Sequence, residues 1–364
     1  MLTAEGCRQR RARLWERLQP WTDGDHLRLA DPLHVTYLTG FHVDPISLNA
    51  GFGAVLVLRQ DGHTRLIVDD RLKGLAAKAH VDERTVVPWY DGQSPGRGPR
   101  QLALVDAVNP TGSGLRFHDR PGDPSAAAVV KAIAELRRQK DDDELALLRQ
   151  SVRAAEAGQA WARAHVHAGM TELDVYSGIV AECTKTAGRA VIVYGDFAVS
   201  PGPERRGGPA TGRVLAAGDM LILDYSVVID GYRCDFTNTL VVDREPTADQ
   251  RHLYDLCCAA MAAGERELRP GASCLNVYGA VRAVFEKAGV ADAFPHHAGH
   301  GLGLTHPEAP FFVRHASETV LQGDVVTLEP GLYVAGVGGI RIEHNYLITA
   351  GGYERLSNHA IVLR

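Results

Sequence analysis

Alternating apolar residues predict a β-hairpin near the middle of the chain. Between positions 218 and 240, apolar and β-branched residues flank Asp230-Gly231, a dipeptide that readily closes a two-residue turn. A turn at this point pairs Asp224 with Thr237 across the hairpin. Asp224 and Asp235 then become diagonal neighbours on one face of the hairpin.

Two carboxylates so close together are costly unless a proton or a cation lies between them. A divalent metal ion is the obvious candidate. The alternative is a pair of solvated aspartates on an exposed hairpin, because Asp is common near turns. This stretch by itself does not decide between the two.

Acidic residues also interrupt two apolar stretches near the C-terminus. Glu329 lies in VVTLEPGLYV and Glu343 in GIRIEHNYLIT. Buried glutamates need cations nearby. The two share one face only if the connection between their strands is an odd-length loop or includes a bulge, which we expect. Arg341 offers a second explanation, because it could neutralise one of them in a salt bridge.

A glycine-punctuated run, HHAGHGLGLTHPEAP, supplies histidines between these acidic positions. A single histidine in such a run is more often structural than functional. Four histidines within eleven positions, placed between glycines, favour a site: His296, His297, His300 and His306.

The remaining pattern predicts two domains. Residues 1–21 read as an amphipathic helix, and residues from about 12 to 90 as short strands and turns that include ADPLHVTYLTGF and a hairpin at Asp61-Gly62. A Gly- and Pro-rich loop is predicted at 91–100. Two helices follow, separated by a charge cluster at 137–144, and we place the domain boundary near residue 138, between domains 1–138 and 139–364.

An internal repeat predicts that the second domain has two related halves. The segment at 168–188 matches the one at 270–289: a glycine turn, an N-cap, and Leu-x-Val-Tyr opening an apolar helix. The predicted N-caps are Thr171 and Ser273, with Asp174 and Asn276 three residues later as in a capping box. We expect a site at the seam between the halves.

Composition narrows the classes of function. The chain has 364 residues, 45% hydrophobic and 23% charged, with a net charge of −5, which gives no reason to expect nucleic acid or a membrane as partner. The start of the chain lacks the pattern of a signal peptide. Six cysteines without CxxC spacing argue against disulfides and a zinc knuckle and fit a reducing cytoplasm. A small molecule or peptide is the expected partner.

The acidic residues within apolar strands, together with one histidine, form a ligand set for two divalent ions. Such oxygen-rich ligation suits Mn²⁺, Fe²⁺, Co²⁺ or Zn²⁺, and two close metals can lower the pKa of a bridging water and polarise a carbonyl. The set is Asp224, Asp235, His300, Glu329 and Glu343.

These motifs resemble the pita-bread metallopeptidase family, which includes prolidase, aminopeptidase P, methionine aminopeptidase and creatinase. The resemblance rests on two aspartates eleven residues apart, the histidine in GHGLGL, and the glutamates in LEPGLY and RIEHN. YLTGF is similar to the family's N-terminal domain, and LRRQKDDDELALLRQS to its interdomain helix. The resemblance implies an α/β (α+β) fold with a creatinase-like N-terminal domain and a pseudo-twofold pita-bread domain.

The resemblance also implies roles for the ligand set. Asp224 would bind the first metal, Asp235 and Glu343 would bridge both, and His300 and Glu329 would complete the second. Glu329 would also carry a proton from the bridging water to the leaving amine. The resemblance further implies a homodimer, two metal ions with Mn²⁺ preferred, and substrate contact by His296, which lies four residues before the GHG histidine.

Several departures from the family pattern concern the substrate. Pro307 stands where the family usually has a second catalytic histidine, and His306, one position earlier, is our candidate for that role. The stretch before Gly218 lacks a histidine and offers Arg205-Arg206, whose guanidinium groups suit a carboxylate. Arg341 is a further candidate for substrate binding. Ser226 and Asn238 also replace the usual glycine and arginine.

We therefore expect a hydrolase that cleaves Xaa-Pro bonds, as prolidase or aminopeptidase P does. The first alternative is a non-peptidase pita-bread enzyme that acts on a small zwitterion, similar to creatinase, ectoine hydrolase or the sulfoniopropionate lyases. The second is a non-catalytic binding module, which would have eroded metal ligands.

Overall fold

The computed structural model describes residues 1–43, 53–89, 92, 100–108 and 115–364. These residues form two compact units, Met1–Arg137 and Arg138–Arg364, and the predicted boundary near residue 138 lies beside this division. The loop predicted at 91–100 lies outside the described residues except for positions 92 and 100. Within the described part of the chain, helices that combine the length and the apolar character of a membrane span are absent.

The first unit contains a four-stranded sheet with helices around it. The strand order is β1-β2-β3-β4, antiparallel except for the parallel pair β3 and β4. The predicted turn between β2 and β3 is present, and Gly62 adopts a φ of 91° there. The elements are β1 (His26–Leu29), β2 (Ala54–Arg59), β3 (Thr64–Asp69), β4 (Glu83–Val87), α1 (Ala4–Arg17), α2 (Pro32–Thr39), a 3₁₀ turn (Asp70–Leu72), α3 (Lys73–Ala76), α4 (Arg100–Val108) and α5 (Ala126–Arg138).

The prediction of strand structure for ADPLHVTYLTGF was wrong, because most of it forms helix α2. The Asp31 side chain accepts a hydrogen bond from the backbone N–H of Leu33, and Pro32 occupies the first turn, where its missing N–H costs nothing. Gly40 ends the helix in the left-handed conformation with φ 69°. These local end signals outweigh the β-branched residues inside the segment.

The second unit combines four helices with three sheets. Strands β5 to β8 form one sheet, β12 and β13 a second, and a third has the order β10-β9-β11-β14-β15. The helices are α6 (Asp142–His165), α7 (Glu172–Ala187), α8 (Ala248–Glu265) and α9 (Cys274–Lys287), with a 3₁₀ turn at Ala291–Ala293. The strands are β5 (Ile192–Val199), β6 (Met220–Ile229), β7 (Tyr232–Arg233), β8 (Phe236–Val241), β9 (Gly299–Gly301), β10 (Glu308–Phe312), β11 (Val325–Leu328), β12 (Gly331–Val334), β13 (Gly338–Arg341), β14 (His344–Thr349) and β15 (Gly352–Arg355).

The repeated segments form α7 and α9, and each helix precedes a set of strands as predicted. At α7, Thr171 and Asp174 form the predicted capping box. The same prediction was wrong for α9: Ser273 occupies the N-cap position, but its side chain makes no capping hydrogen bond. The repeat is therefore one of element order and apolar pattern rather than of identical cap chemistry.

Helix α8 packs tightly against the strands that carry the acidic residues of the second half. A Cβ atom added to Gly264 would lie 2.9 Å from Val281 Cγ2 and 3.1 Å from Leu328 Cδ1. Leu328 is fully buried and directly precedes Glu329. Because close-packed interiors resist displacement, the apolar core fixes the position of the C-terminal end of β11, and with it the backbone of Glu329.

Candidate metal centre

The first hairpin has the predicted register. Asp224 pairs with Thr237 across β6 and β8, and Val228 pairs with Arg233 nearer the turn. The Ser226 hydroxyl lies 3.3 Å from Asp235 Oδ1. Asp224 and Asp235 therefore lie on one face, and the alternative of two solvated aspartates is wrong because Asp235 is buried.

The second pair of carboxylates lies on one long hairpin that is interrupted in the middle. β11 pairs with β14, and β12 with β13, in the same continuous register, which places Glu329 and Glu343 opposite each other between the two ladders. The turn residues 335–337 form a loop of odd length, as expected. Glu343 is only 1% exposed, so its carboxylate is removed from water almost completely.

Backbone and side-chain hydrogen bonds hold the two hairpins together. Glu343 N donates to Thr237 O at 3.0 Å, and the Thr237 hydroxyl donates to Glu343 Oε2 at 2.7 Å. The backbone N of Asp235 donates to Asn345 Oδ1 at 3.1 Å. These bonds bring the carboxylates of both hairpins into one cluster, in which Asp224, Asp235 and Glu343 offer ligand atoms within 4.8 Å of one another.

His300 adds an imidazole to this cluster. Its Nδ1 is 2.9 Å from the Gly301 carbonyl, so Nδ1 carries the proton and Nε2 offers its lone pair. Nε2 lies 3.7 Å from Asp235 Oδ2 and 3.5 Å from Glu329 Oε1. The orientation is that of a metal ligand whose second nitrogen is fixed by the backbone.

The other three histidines of the run surround the same carboxylates. His306 Nε2 lies 2.5 Å from Asp235 Oδ2, so the histidine that stands one position early reaches the centre. His297 Nδ1 lies 3.1 Å from Glu329 Oε1. His296 Nε2 faces the Tyr333 hydroxyl at 3.3 Å.

The residues present fit a pair of divalent cations. Four carboxylates and one imidazole converge, and Glu343 Oε1 is buried with no hydrogen-bond partner among the described residues. Leaving such an oxygen unpaired costs free energy, and a cation would satisfy it. Cysteine is absent from the groups of described residues that could hold a metal, so the donor set is that of a hard or borderline ion.

Crowding of negative charge shifts the pKa values of the carboxylates in different directions. Burial raises the pKa of Asp224 to about 7, with Arg341 opposing the shift and Asp235 adding to it. Burial and the charges of Asp235 and Asp224 raise the pKa of Glu343 well above its usual range. Burial also disfavours the charged form of Glu329, but the neighbouring histidines, His297 above all, outweigh it and lower this pKa. Without metal, protons therefore balance part of the charge.

The carboxyl groups of the metal-free centre should contribute less stability as the pH rises through the neutral range. The raised pKa values of Asp224 and Glu343 mean that the folded state holds more protons than the unfolded state above about pH 4, so stability falls until these groups ionise in the folded state. The lowered pKa of Glu329 acts only in more acidic solution. Burial lowers the pKa of His344 and His359, which gives the opposite pH dependence in the metal-free and metal-loaded forms alike. We therefore expect the gain in melting temperature on metal loading to be at least about 5 °C larger at about pH 7.5 than at about pH 5.5.

Differential scanning calorimetry of chelator-treated and metal-saturated protein at both pH values checks this expectation. Bound cations replace the protons, so the melting temperature of the metal-saturated protein should change more favourably with rising pH than that of the metal-free protein. Equal slopes for the two forms would contradict the expectation.

The cluster opens into a cavity of about 630 Å³ in the second unit. Its wall carries charges of both signs. Arg341 NH2 lies 2.5 Å from both Asp196 Oδ2 and Asp224 Oδ2, and its NH1 donates to the Tyr333 hydroxyl at 2.8 Å. Arg341 does form salt bridges, but the expected glutamate partner was wrong, because the guanidinium contacts two aspartates instead.

Arg205 and Arg206 separate into different environments. Arg206 is exposed and lines the cavity. Arg205 forms a two-pronged salt bridge with the buried Glu172, with both N–O distances at 3.0 Å. The prediction that Arg205 binds substrate is corrected accordingly: its guanidinium links the first residue of helix α7 to the loop between β5 and β6. Removing it would leave Glu172 as a buried carboxylate without its cation.

Two cavity residues on β5 were missed from the sequence, Tyr194 and Asp196. β5 pairs with β6 so that Asp196 lies directly beside Asp224. Asp196 interrupts the apolar stretch VIVYGDFAV in the same way that Asp224 interrupts its own strand. That interruption could have identified it, but the pairing of β5 with β6 spans a long connection that no turn motif fixes.

Comparisons with known proteins agree with this architecture. Residues 146–350 match the model described as "Metallopeptidase family M24". A Bacillus subtilis (strain 168) protein named "Putative dipeptidase YkvY" is 31% identical over 343 residues, which cover 90% of this chain and 91% of that protein.

Two solved structures share the fold over nearly the whole chain. The Xaa-Pro dipeptidase from Bacillus anthracis matches with a TM-score of 0.77 at 21% identity, covering 99% of both chains. The prolidase from Pyrococcus horikoshii OT3 matches with a TM-score of 0.78 at 20% identity, covering 98% of this chain and 100% of that one. With the resemblance of the motifs thereby confirmed, the chain belongs to metallopeptidase family M24.

Proposed function

We propose that this protein is a dinuclear metal-dependent peptidase that hydrolyses dipeptides with proline after the scissile bond. The observation that carries the proposal is the convergence of two carboxylate pairs and His300 around the unpaired buried oxygen of Glu343, at the base of a cavity. The cavity volume of about 630 Å³ lies in the range of small-ligand sites, about 300–1,000 Å³. The names of the Bacillus relatives support a dipeptide as substrate.

The proposed ligands divide between two cation positions. Asp224, Asp235 and Glu343 would hold the first cation, and His300 and Glu329, together with Asp235 and Glu343, would hold the second. The groups within 4.8 Å of one another agree with this division, because Glu343 belongs both to a group with the two aspartates and to a group with His300 and Glu329. Mn²⁺ suits the oxygen-rich set best.

The chain's own residues would move the proton and orient the peptide. Two divalent ions supply an activated water and a polarised carbonyl when bound. Glu329 accepts a proton at a carboxylate oxygen and passes it to the leaving amine, and the neighbouring His297 stabilises its charged form. His306 donates a hydrogen bond from Nε2 to Asp235 Oδ2, and His296 lines the cavity next to Tyr333.

Two arginines of the cavity wall are suited to different parts of the substrate site. Arg206 is exposed at the cavity and is free to meet a substrate carboxylate. Arg341 is already held by Asp196 and the Tyr333 hydroxyl, so it would share its charge between these partners and a substrate. The mixed charges of this wall also suit a compact zwitterion, which supports a non-peptidase pita-bread activity as the second candidate.

A substrate panel distinguishes these functions. We expect chelator-stripped protein reloaded with Mn²⁺ to cleave Xaa-Pro dipeptides at least about tenfold faster than Xaa-Pro tripeptides, measured as the free N-terminal residue released, a product that both substrates share. Co²⁺, Fe²⁺ and Zn²⁺ serve as comparisons. Faster cleavage of tripeptides would indicate an aminopeptidase P, and turnover of creatine or ectoine without peptide cleavage would favour the second candidate.

A further inference from the structure

The loop that carries His306 is held on both sides of this residue. We define the His306 loop as residues 303–308. It contains Leu304, which is buried, and it ends at Glu308, where β10 begins. His306 itself is about 30% exposed at its side chain and contacts Asp235 at 2.5 Å. Something other than burial of His306 must therefore fix its position.

Arg233 is the upstream anchor of the His306 loop. Its backbone N donates to Gly303 O at 3.1 Å, and its NH2 donates to Leu304 O at 2.9 Å. Its NH1 donates to the hydroxyl of Tyr194 at 2.8 Å. One guanidinium thus joins the loop to a residue of the cavity wall.

The position of Arg233 relative to Asp235 explains how this anchor aims His306. Arg233 and Asp235 are two residues apart in the extended segment that follows the hairpin turn, so their side chains point to the same side. They contact Leu304 and His306, which are also two residues apart. The loop therefore runs alongside this segment in the same direction, with Leu304 next to Arg233 and His306 next to Asp235.

A second anchor lies downstream of His306. Lys140 Nζ lies 2.8 Å from Glu308 Oε1, with the lysine side chain only 1% exposed, and the Thr305 hydroxyl donates to Glu308 Oε2 at 2.9 Å. A Cβ atom at Gly303 would approach Glu308 Oε1 to 2.7 Å and Lys140 Cε to 2.9 Å. The loop closes tightly over this buried pair, so its downstream end is fixed independently of Arg233.

We propose that Arg233 is a positioning residue for catalysis, which holds the His306 loop so that the imidazole meets Asp235 and the cavity. The inference rests on the proposed function for its kinetic consequences, but the geometry of the loop is independent of the substrate. Arg233 touches no reacting atom. It acts through the carbonyl of Leu304 and the hydroxyl of Tyr194, and its loss would let His306 drift while the Lys140 anchor keeps the rest of the loop in place.

Arg233→Met keeps an unbranched apolar stem in place of the arginine stem and removes the guanidinium donors, and its expected effect is on kcat. We expect kcat on the Xaa-Pro dipeptide to fall about tenfold, because a misplacement of about 1 Å can cost about a hundredfold and the Lys140 anchor limits the movement, with KM changed less than about twofold. Arg233→Lys retains a cationic donor group without the fork of the guanidinium and should recover part of the loss. Arg189→Met is the matched control, since Arg189 pairs with Asp230 at the turn of the same hairpin.

A double-mutant cycle separates positioning from general destabilisation. If Arg233 acts through His306, adding Arg233→Met to His306→Ala should cost less than about twofold more in kcat. Additive losses would overturn the proposal. So would a loss of kcat in Arg233→Met that is matched in Arg189→Met.

A chemical measurement tests the same geometry without any substrate. Diethyl pyrocarbonate modifies unprotonated imidazole nitrogens, and peptide mass spectrometry of the metal-loaded protein gives the rate at His306 relative to the exposed His165. Loosening of the His306 loop should expose the imidazole and raise this ratio at least about threefold in Arg233→Met, and less in Arg233→Lys. An unchanged ratio in both variants would overturn the proposal, whereas wild-type protein inactive on every peptide would refute only the proposed function.

Discussion

Glu343→Gln is expected to lower kcat/KM on the preferred substrate by at least about a thousandfold and to reduce the bound metal below two ions per chain. The amide keeps the shape of the carboxylate, and its oxygen can still accept the Thr237 hydrogen bond that Glu343 Oε2 accepts at 2.7 Å. It lacks the charge needed to bridge two cations. A metal ion contributes several kcal/mol to transition-state stabilisation, and about 4 kcal/mol corresponds to about a thousandfold in rate.

The fold should survive the Glu343→Gln substitution. In the metal-free protein, burial and the charges of Asp235 and Asp224 already disfavour the charged form of Glu343, so a neutral amide fits the same position. Metal content by inductively coupled plasma mass spectrometry, steady-state kinetics and circular dichroism are the measurements. Glu354→Gln is the matched control, because Glu354 lies on β15 in a surface salt bridge with Arg149. Two bound ions and full activity in Glu343→Gln would refute the assignment of the centre.

His306→Ala should lower kcat by about tenfold to a hundredfold while leaving the metal content unchanged. The imidazole lies 2.5 Å from Asp235 Oδ2 and faces the cavity, where it can donate a hydrogen bond to a developing negative charge. Removing one such donor typically costs about a hundredfold or more, and the partial exposure of His306 places it at the lower end.

The control for this substitution is His252→Ala, at an exposed position on α8. Single-turnover kinetics with metal-saturated enzyme separates the chemical step from product release. Unchanged kcat would make His306 a structural residue. A fall in metal content together with kcat would instead make it a ligand.

Much of the candidate centre could be predicted because local turn geometry determines the register of each hairpin. The dipeptide Asp230-Gly231 fixes which residues face each other along β6 and β8, so the diagonal relation of Asp224 and Asp235 follows from the sequence. The relation of Glu329 to Glu343 depended on the parity of one loop, which the sequence left open and the structure shows to be odd.

The residues that sequence reasoning misplaced are those whose partners lie far along the chain. Arg205 was expected to bind substrate, but its partner Glu172 begins a helix that no local pattern connects to it. Asp196 was missed because its pairing with Asp224 depends on how β5 meets β6. Helix α2 was missed for the opposite reason, since capping at Asp31 and Gly40 decided the structure against the propensities of the residues between them.

The division of the carboxylates between two hairpins has a consequence for the origin of this centre. Each half of the second unit contributes one carboxylate pair: Asp224 and Asp235 follow the first copy of the repeat, and Glu329 and Glu343 follow the second. An ancestral chain with a single copy would carry only one carboxylate pair and could assemble both pairs only by association with another copy. Gene duplication and fusion would then have converted a centre shared between two molecules into one encoded in a single chain, after which each half was free to diverge.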